Sequence, residues 1–288
     1  PLPPCPILWS TESIDAGITV VCPRSMRPCV LGGKQPSGSS TTIPTSSSVQ
    51  ARFENGLLRD RINAMLKGLL WLRNNLRLAD NPALDRALRE CGEVLFVYVF
   101  DERTWNPKRM GPFRARFQHE SLSALREKIT GRGGKIEFVR GSALEVIPKL
   151  MERYGAQRCY AQREDAHEEV SEERALAKKI DLVLTQGKGL FEDEDLPFAL
   201  DELPDVFSHF RRKVQKNLRV RETYPEPENL DCSWKGKSPL PKLSTLGFEE
   251  TALDERAALS FRGGEEEGWN RIHEWMWDRA CLQRYKET

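Results

Sequence analysis

The chain has 288 residues, 39% hydrophobic and 30% charged, with 44 Lys plus Arg against 43 Asp plus Glu. That suits one or two globular domains with a real core, and a net charge of +1 gives no bulk field for a nucleic acid or an acidic surface. No run of about 18 apolar residues occurs, which excludes an obvious membrane-spanning helix, and the seven cysteines are odd in number and without a C-x-x-C pair, which argues for free thiols in a reducing compartment, against secretion and against a zinc site.

Residues 1–66 read as a different material from the rest. Eight prolines fall in the first 50 residues, and Pro36 to Gln50 is mostly Ser, Thr, Gly and Pro. Such a segment cannot bury enough apolar surface to offset its ordering entropy, so a disordered leader is expected. Its first 50 residues hold two acids, Glu12 and Asp15, against Arg24, Arg27 and Lys34. A Ser-rich, acid-poor leader has the composition of a chloroplast or mitochondrial transit peptide; as a plain tail it would leave the protein in cytoplasm or nucleus. The chain starts on proline rather than Met, so its beginning is expected to be incomplete.

From Gly68 the pattern changes. Apolar, β-rich runs recur at Gly68–Leu72, Val94–Phe100, Lys135–Val139, Arg158–Ala161 and Asp181–Leu184. Helical stretches separate them. The first, Pro82–Glu90, is opened by Asp80 and Asn81 ahead of a proline that needs no N–H at that position. The longest, Phe113–Ile129, carries Phe113, Phe117, Leu125 and Ile129 as its expected apolar face and stops at Gly131, Gly133 and Gly134. Ala143–Tyr154 and His167–Ile180 follow. In the last of these Glu168, Glu169, Glu172 and Glu173 come early and Arg174, Lys178 and Lys179 late, an order that complements the helix dipole and reads as a solvated face. Strand and helix alternating at this spacing predict an α/β fold, a five-stranded parallel doubly wound sheet of Rossmann-like type over 67–200, with both faces covered.

After Thr185 the alternation stops. Glu192 to Asp205 holds seven acids and no base, and Arg211, Arg212, Lys213, Lys216, Arg219 and Arg221 come soon after. Mutual pairing is favoured over a nucleic-acid patch. A short helix is expected over Asp205–Lys216, within a linker over 201–245 that turns proline-rich at Pro225, Pro227, Pro239 and Pro241. A final helix is expected over Glu265–Tyr285, with Trp269, Ile272, His273 and Met276 on one face and Trp275 and Trp277 beside it. Each Trp can bury about 150–250 Å², so this helix wants a partner surface. Residues 246–288 are expected to be the start of a helical domain that continues past this sequence.

Little in the residues alone carries chemistry. There is no Ser/His/Asp spacing, no phosphate-cradling loop and no metal cluster, and Gly131, Gly133 and Gly134 do not follow a strand as a dinucleotide motif requires. His119, His167, His209 and His273 lie on separate segments. In open α/β sheets, ligands sit beyond the carboxyl ends of the strands. Those ends are Arg73–Asn75, Asp101–Arg103, Arg140–Ser142, Gln162–Asp165 and Thr185–Lys188, so Asn74, Asn75, Asp101 and Glu164 are the expected pocket residues. Unaided, this supports a nucleotide- or cofactor-binding domain, with no catalytic residue assigned.

Residues 71–84, Trp71-Leu72-Arg73-Asn74-Asn75-Leu76-Arg77 and then Asp80-Asn81-Pro82-Ala83-Leu84, resemble the opening of the photolyase/cryptochrome family. Val97 to Asp101, Arg114 to Phe117 with Glu120 to Leu122, and Tyr160 to Glu164 continue the likeness in the same order. Asp195 to Phe198, then Leu203 to Arg211, and Phe261 to Glu265 are similar to the cryptochrome DASH branch in particular. The resemblance runs from about residue 69 to 288. It implies an amino-terminal antenna-binding domain, here 67–200, able to hold a reduced folate such as 5,10-methenyltetrahydrofolate. It implies a carboxy-terminal helical domain that binds FAD and damaged DNA and splits cyclobutane pyrimidine dimers in blue light, with single-stranded DNA favoured, or that serves as a photoreceptor. A monomer is expected. Two residues carry over: Glu164 as the acidic contact to the antenna pterin, and Tyr285 as the first tyrosine of the flavin-phosphate site. Asn75 stands where the family usually has Asp, and Gln162 where it usually has His. The flavin and lesion sites would lie beyond Thr288, so this chain alone is expected to lack repair activity. The alternative is a non-enzymatic antenna-binding or interaction module.

Overall fold

A computed structural model describes residues 65–216, 220–252 and 261–284. The leader expected over 1–66 falls outside the described residues except for Met65 and Leu66, as does Tyr285. Five parallel strands form one sheet: β1 (Lys67–Leu72), β2 (Glu93–Phe100), β3 (Lys135–Arg140), β4 (Arg158–Gln162) and β5 (Leu182–Thr185), in the order β3-β2-β1-β4-β5. Between them run α1 (Pro82–Glu90), α2 (Pro112–Gly131), α3 (Ala143–Tyr154) and α4 (His167–Ala177). The five-stranded doubly wound fold expected from the sequence is therefore present.

The period of two along each strand sorts side chains to two separate cores. Leu70, Leu72, Phe96, Tyr98 and Phe100 face α1 and α2 with Leu84, Leu122 and Ile129. Leu69, Trp71, Leu95, Val97 and Val99 face α3 and α4 with Ile147, Leu150 and Leu176. Burial on both faces explains why these strands read as unbroken apolar runs. At the head of α1 the Asn81 side chain accepts from Leu84 N at 3.2 Å, and Pro82 sits where no donor is needed.

Three expectations need correction. In α2 the buried apolar positions are Ala115, Leu122, Leu125 and Ile129, while Phe113 and Phe117 are exposed. Those two phenylalanines share a face with each other; at about 100° per residue neither falls under the stripe that meets the sheet. On α4, Glu173 is buried rather than solvated. The terminal segment is not one helix: α6 (Glu265–His273) runs into a π-helical turn, Glu274–Asp278, and Ala280 at φ 48° separates it from a last turn, α7 (Cys281–Arg284). Trp269 and Trp277 are each 61% exposed there.

Of the acids of 192–205, those at 192–195 find basic partners. Arg221 binds Glu192 at 2.7 Å and Asp195 at 2.8 Å, and Arg163 binds Asp193 at 3.1 Å. Helix α5 (Phe207–Lys216) buries only Val214. The proline-rich stretch then runs back over the α/β body. Asp80 N donates to Tyr224 O at 2.9 Å, Leu230 N to Arg132 O at 2.9 Å, and Trp234 Nε1 to Glu137 Oε1 at 2.6 Å. Leu230, Leu243, Leu246 and Phe248 complete the first core. No helix among the described residues is long and apolar enough to cross a membrane.

Candidate functional site

Strand order changes direction between β1 and β4, which opens a crevice at the carboxyl ends of the strands. A cavity of about 170 Å³ lies at this edge, over the ends of β1 and β2. Trp71, Tyr98 and Trp105 give it aromatic walls, and Asn74, Asp101 and Arg103 reach it from the turns after β1 and β2. A larger hollow of about 750 Å³ lies at the opposite end, between Gly92, Gly133 and residues 231–237. It is open to solvent, and its carboxylate Glu93 is taken by Ser233 and Tyr154. The carboxyl-edge cleft, with its buried polar groups, is the better candidate.

Arg73 turns inward from the end of β1. Its Nη2 donates to Gln162 O and Glu173 Oε1, and its guanidinium lies 4.4 Å from the Trp71 ring centroid. Glu173 also accepts Glu164 N at 2.8 Å. One buried ion pair thus ties β1, the turn after β4 and α4 together. Arg73 Nε and Nη1 have no hydrogen-bond partner.

Asp101 holds Arg103 through contacts at 2.6 to 3.0 Å, and Arg103 Nη2 reaches on to Glu172. Burial raises the Asp101 carboxyl, but the Arg103 contacts outweigh it and hold the group below its ordinary value. Glu172 meets the same guanidinium less fully; its burial prevails and its pKa rises. Tyr98 is pushed up to about 12 by burial and accepts from Trp105 Nε1 at 3.0 Å, so it stays a neutral wall. Among the described residues no three His, Cys, Asp or Glu side chains come together as a metal nest.

Of the four expected pocket residues, Asn74 and Asp101 line this cleft. Asn75 does not: it is buried, its Oδ1 accepts Arg73 N at 3.2 Å, and its Nδ2 donates to Asn81 Oδ1 at 3.4 Å, so it braces the turn against the head of α1. Glu164 is 4% exposed and each of its oxygens has one partner: Asn74 Nδ2 donates to Oε1 at 3.1 Å, and Lys188 Nζ binds Oε2. Lys188 also touches Asp165 at 3.5 Å, and its contact with Glu164 raises its pKa. Arg73 and Lys188 lay within the strand ends expected to border a ligand but were not singled out, and Glu173 was not legible as a site residue. For Lys188 the available signal was a cation flanked by Gly187 and Gly189 just past a strand end. The arrangement offers an aromatic slot, fixed charges and a buried carboxylate, a chemistry of binding rather than of bond-making.

The family model described as DNA photolyase matches residues 68–228. Cryptochrome DASH of Gloeobacter violaceus is 34% identical over 231 residues, 76% of this chain and 46% of the relative. A chloroplastic/mitochondrial cryptochrome DASH of Arabidopsis thaliana is 30% identical over 266 residues, 85% of this chain and 44% of its own. The crystal structure of a Synechocystis cryptochrome superposes with a TM-score of 0.71 at 32% identity, covering 78% of this chain and 49% of that one. The chain spans about half the length of the curated relatives it matches. The shared sheet, the collinear motifs and these matches lead to one conclusion: the chain belongs to the photolyase/cryptochrome family and is similar to its cryptochrome DASH members.

Proposed function

We propose that this chain is the light-harvesting, α/β half of a blue-light flavoprotein that repairs cyclobutane pyrimidine dimers, with single-stranded DNA favoured, or acts as a photoreceptor. Residues 67–200 are the antenna-binding domain, 201–245 the linker and 246–288 the start of a helical FAD-binding domain to which Tyr285 contributes. FAD chemistry and lesion binding belong to that helical part. A bound 5,10-methenyltetrahydrofolate supplies absorption of light and passes the excitation on. On this chain Glu164 provides the acidic contact, Asn74 orients it, and Arg73 with Glu173 keeps the turns in place. The protein acts as a monomer, and the acid-poor leader supports an organellar address.

The observation that carries this is the carboxyl-edge cleft itself, with aromatic walls and with Asn74 on its lining bonded to the buried Glu164 carboxylate. The residues fit an antenna by chemistry, since a buried carboxylate accepts the adjacent N–H groups of a pterin ring. The exposed Trp269 and Trp277 support a helical partner surface. A second reading, a free-standing antenna or interaction module, draws on Leu230, Leu243, Leu246 and Phe248, which complete the α/β core from within this chain.

The test compares this chain with the same chain joined to the flavin-binding half of a cryptochrome DASH relative. Bound flavin absorbance and light-dependent dimer repair in the joined protein alone are expected. Repair by neither overturns the photolyase proposal; a stable folded chain that binds folate without flavin favours the module.

A further inference from the structure

Glu164 is a buried carboxylate whose counter-ion comes from elsewhere than its own element. The buried Arg73 is already committed to Glu173, and Arg163 to Asp193. Lys188 fills the role from the turn after β5, and its side chain is 39% exposed while that of Glu164 is 4% exposed. A flexible, half-exposed ammonium on a buried carboxylate is an exchangeable partner rather than a fixed one.

The surroundings allow the exchange. Gly187 has φ 155°, and a Cβ there would come 2.9 Å from Pro82 Cγ, so the base of the turn is pressed against the head of α1 and stays put. Lys188 itself lines a hollow of about 140 Å³ shared with Arg163 and Asp165. Its ammonium lies 3.5 Å from Asp165, whose side chain is 68% exposed. An ammonium leaving Glu164 therefore has a second carboxylate within reach and is not stranded.

We propose that Lys188 is a built-in competitor for the antenna site. It occupies the Glu164 carboxylate, and a planar ligand with an amidine-type pair of N–H donors enters by moving the ammonium across to Asp165. This rests on Glu164 being the antenna contact. Such a pair of donors suits a carboxylate because both oxygens accept at once, and Oε1 has capacity beyond its bond from Asn74. A flavin ring, whose imide N–H is flanked by two carbonyls, lacks the pair and gains nothing from Glu164. Glu164 thus sets the ligand class of the site and Lys188 its affinity.

The test is a fluorescence-anisotropy titration of the whole chain with 5,10-methenyltetrahydrofolate, with riboflavin as the second probe. Lys188→Ala and Lys188→Gln are expected to bind the folate about twofold to fivefold more tightly than the natural chain, the change set by losing one part-exposed ion pair. Asp165→Asn is expected to weaken folate binding, because the displaced ammonium loses its second partner. Glu164→Gln is expected to abolish the gain from Lys188→Ala, and riboflavin binding is expected to be equal in all. Circular dichroism melting identifies any variant that fails to fold, and Lys188→Gln, which keeps the stem, decides the matter if Lys188→Ala does. Equal folate affinity with and without Lys188 overturns the competitor and leaves the antenna proposal standing. Folate binding by neither the natural chain nor the Lys188 variants overturns both.

Discussion

Arg73 and Glu173 form the pair on which the site's geometry turns, and its energetics have a definite sign. Both side chains are at least nine-tenths buried, so removing one leaves an uncompensated charge. Arg73→Met should destabilise the chain by about 3–5 kcal/mol in denaturant unfolding, and Arg73→Met/Glu173→Leu should recover most of that. A loss in the double variant equal to the sum of the two single losses would show that the pair is not coupled. This pair was invisible in the sequence for a physical reason. Glu173 sits in a helix whose alternating charges look solvated, and its partner lies 100 residues away. Glu164 was legible as a pocket residue from its place at a strand end, but its role as an acidic antenna contact came only from the resemblance. Glu90 makes a second test at this scale. Burial raises its pKa, but hydrogen bonds from Arg86, Tyr160 and Arg158 outweigh that and hold it below its ordinary 4.5. A depressed carboxylate stabilises fully above the ordinary value, and that contribution is lost as pH falls through the folded one. Below pH 4.5 the melting temperature of the natural chain should therefore fall more steeply than that of Glu90→Gln; parallel curves would contradict the assignment.

At the scale of elements, the head of α1 shows how much a local signal can specify. Asn81 is buried, caps Leu84 N, and donates to Arg77 O at 2.9 Å, so one side chain fixes both the helix start and the turn that carries Arg73 and Asn74. Asn81→Ala should cost about 1–2 kcal/mol by chemical denaturation, and a cost near zero would mean the cap is redundant. The strands were legible because burial on both faces leaves almost no polar interruptions, as in the run Val94 to Phe100. The face of α2 was not, because Phe113 and Phe117 are large and apolar yet stand off the sheet, with Arg116 lying over the Phe113 ring. The break at Ala280 and the π-helical turn before it follow no propensity in Glu274 to Asp278, whose residues are ordinary helix formers.

Across the whole molecule, two surfaces differ in how they are satisfied. The back of the α/β body is covered from within the chain by Leu230, Leu243, Leu246 and Phe248, so the sheet and its strap should melt as one cooperative unit. The face of α6 and the turn after it is not covered among the described residues, where Trp269, Ile272, Met276 and Trp277 are exposed. The isolated chain should bind a hydrophobic dye such as ANS. Trp269→Gln/Trp277→Gln should reduce that binding while shifting stability by less than about 0.5 kcal/mol each, as surface changes do. Dye binding unchanged by the pair would place the exposed apolar surface elsewhere. The light-harvesting role is tested most directly by the action spectrum for flavin photoreduction in the chain joined to a flavin-binding half and loaded with 5,10-methenyltetrahydrofolate. The account predicts a contribution in the folate absorption band that disappears in Glu164→Gln; an action spectrum identical with and without bound folate would contradict it.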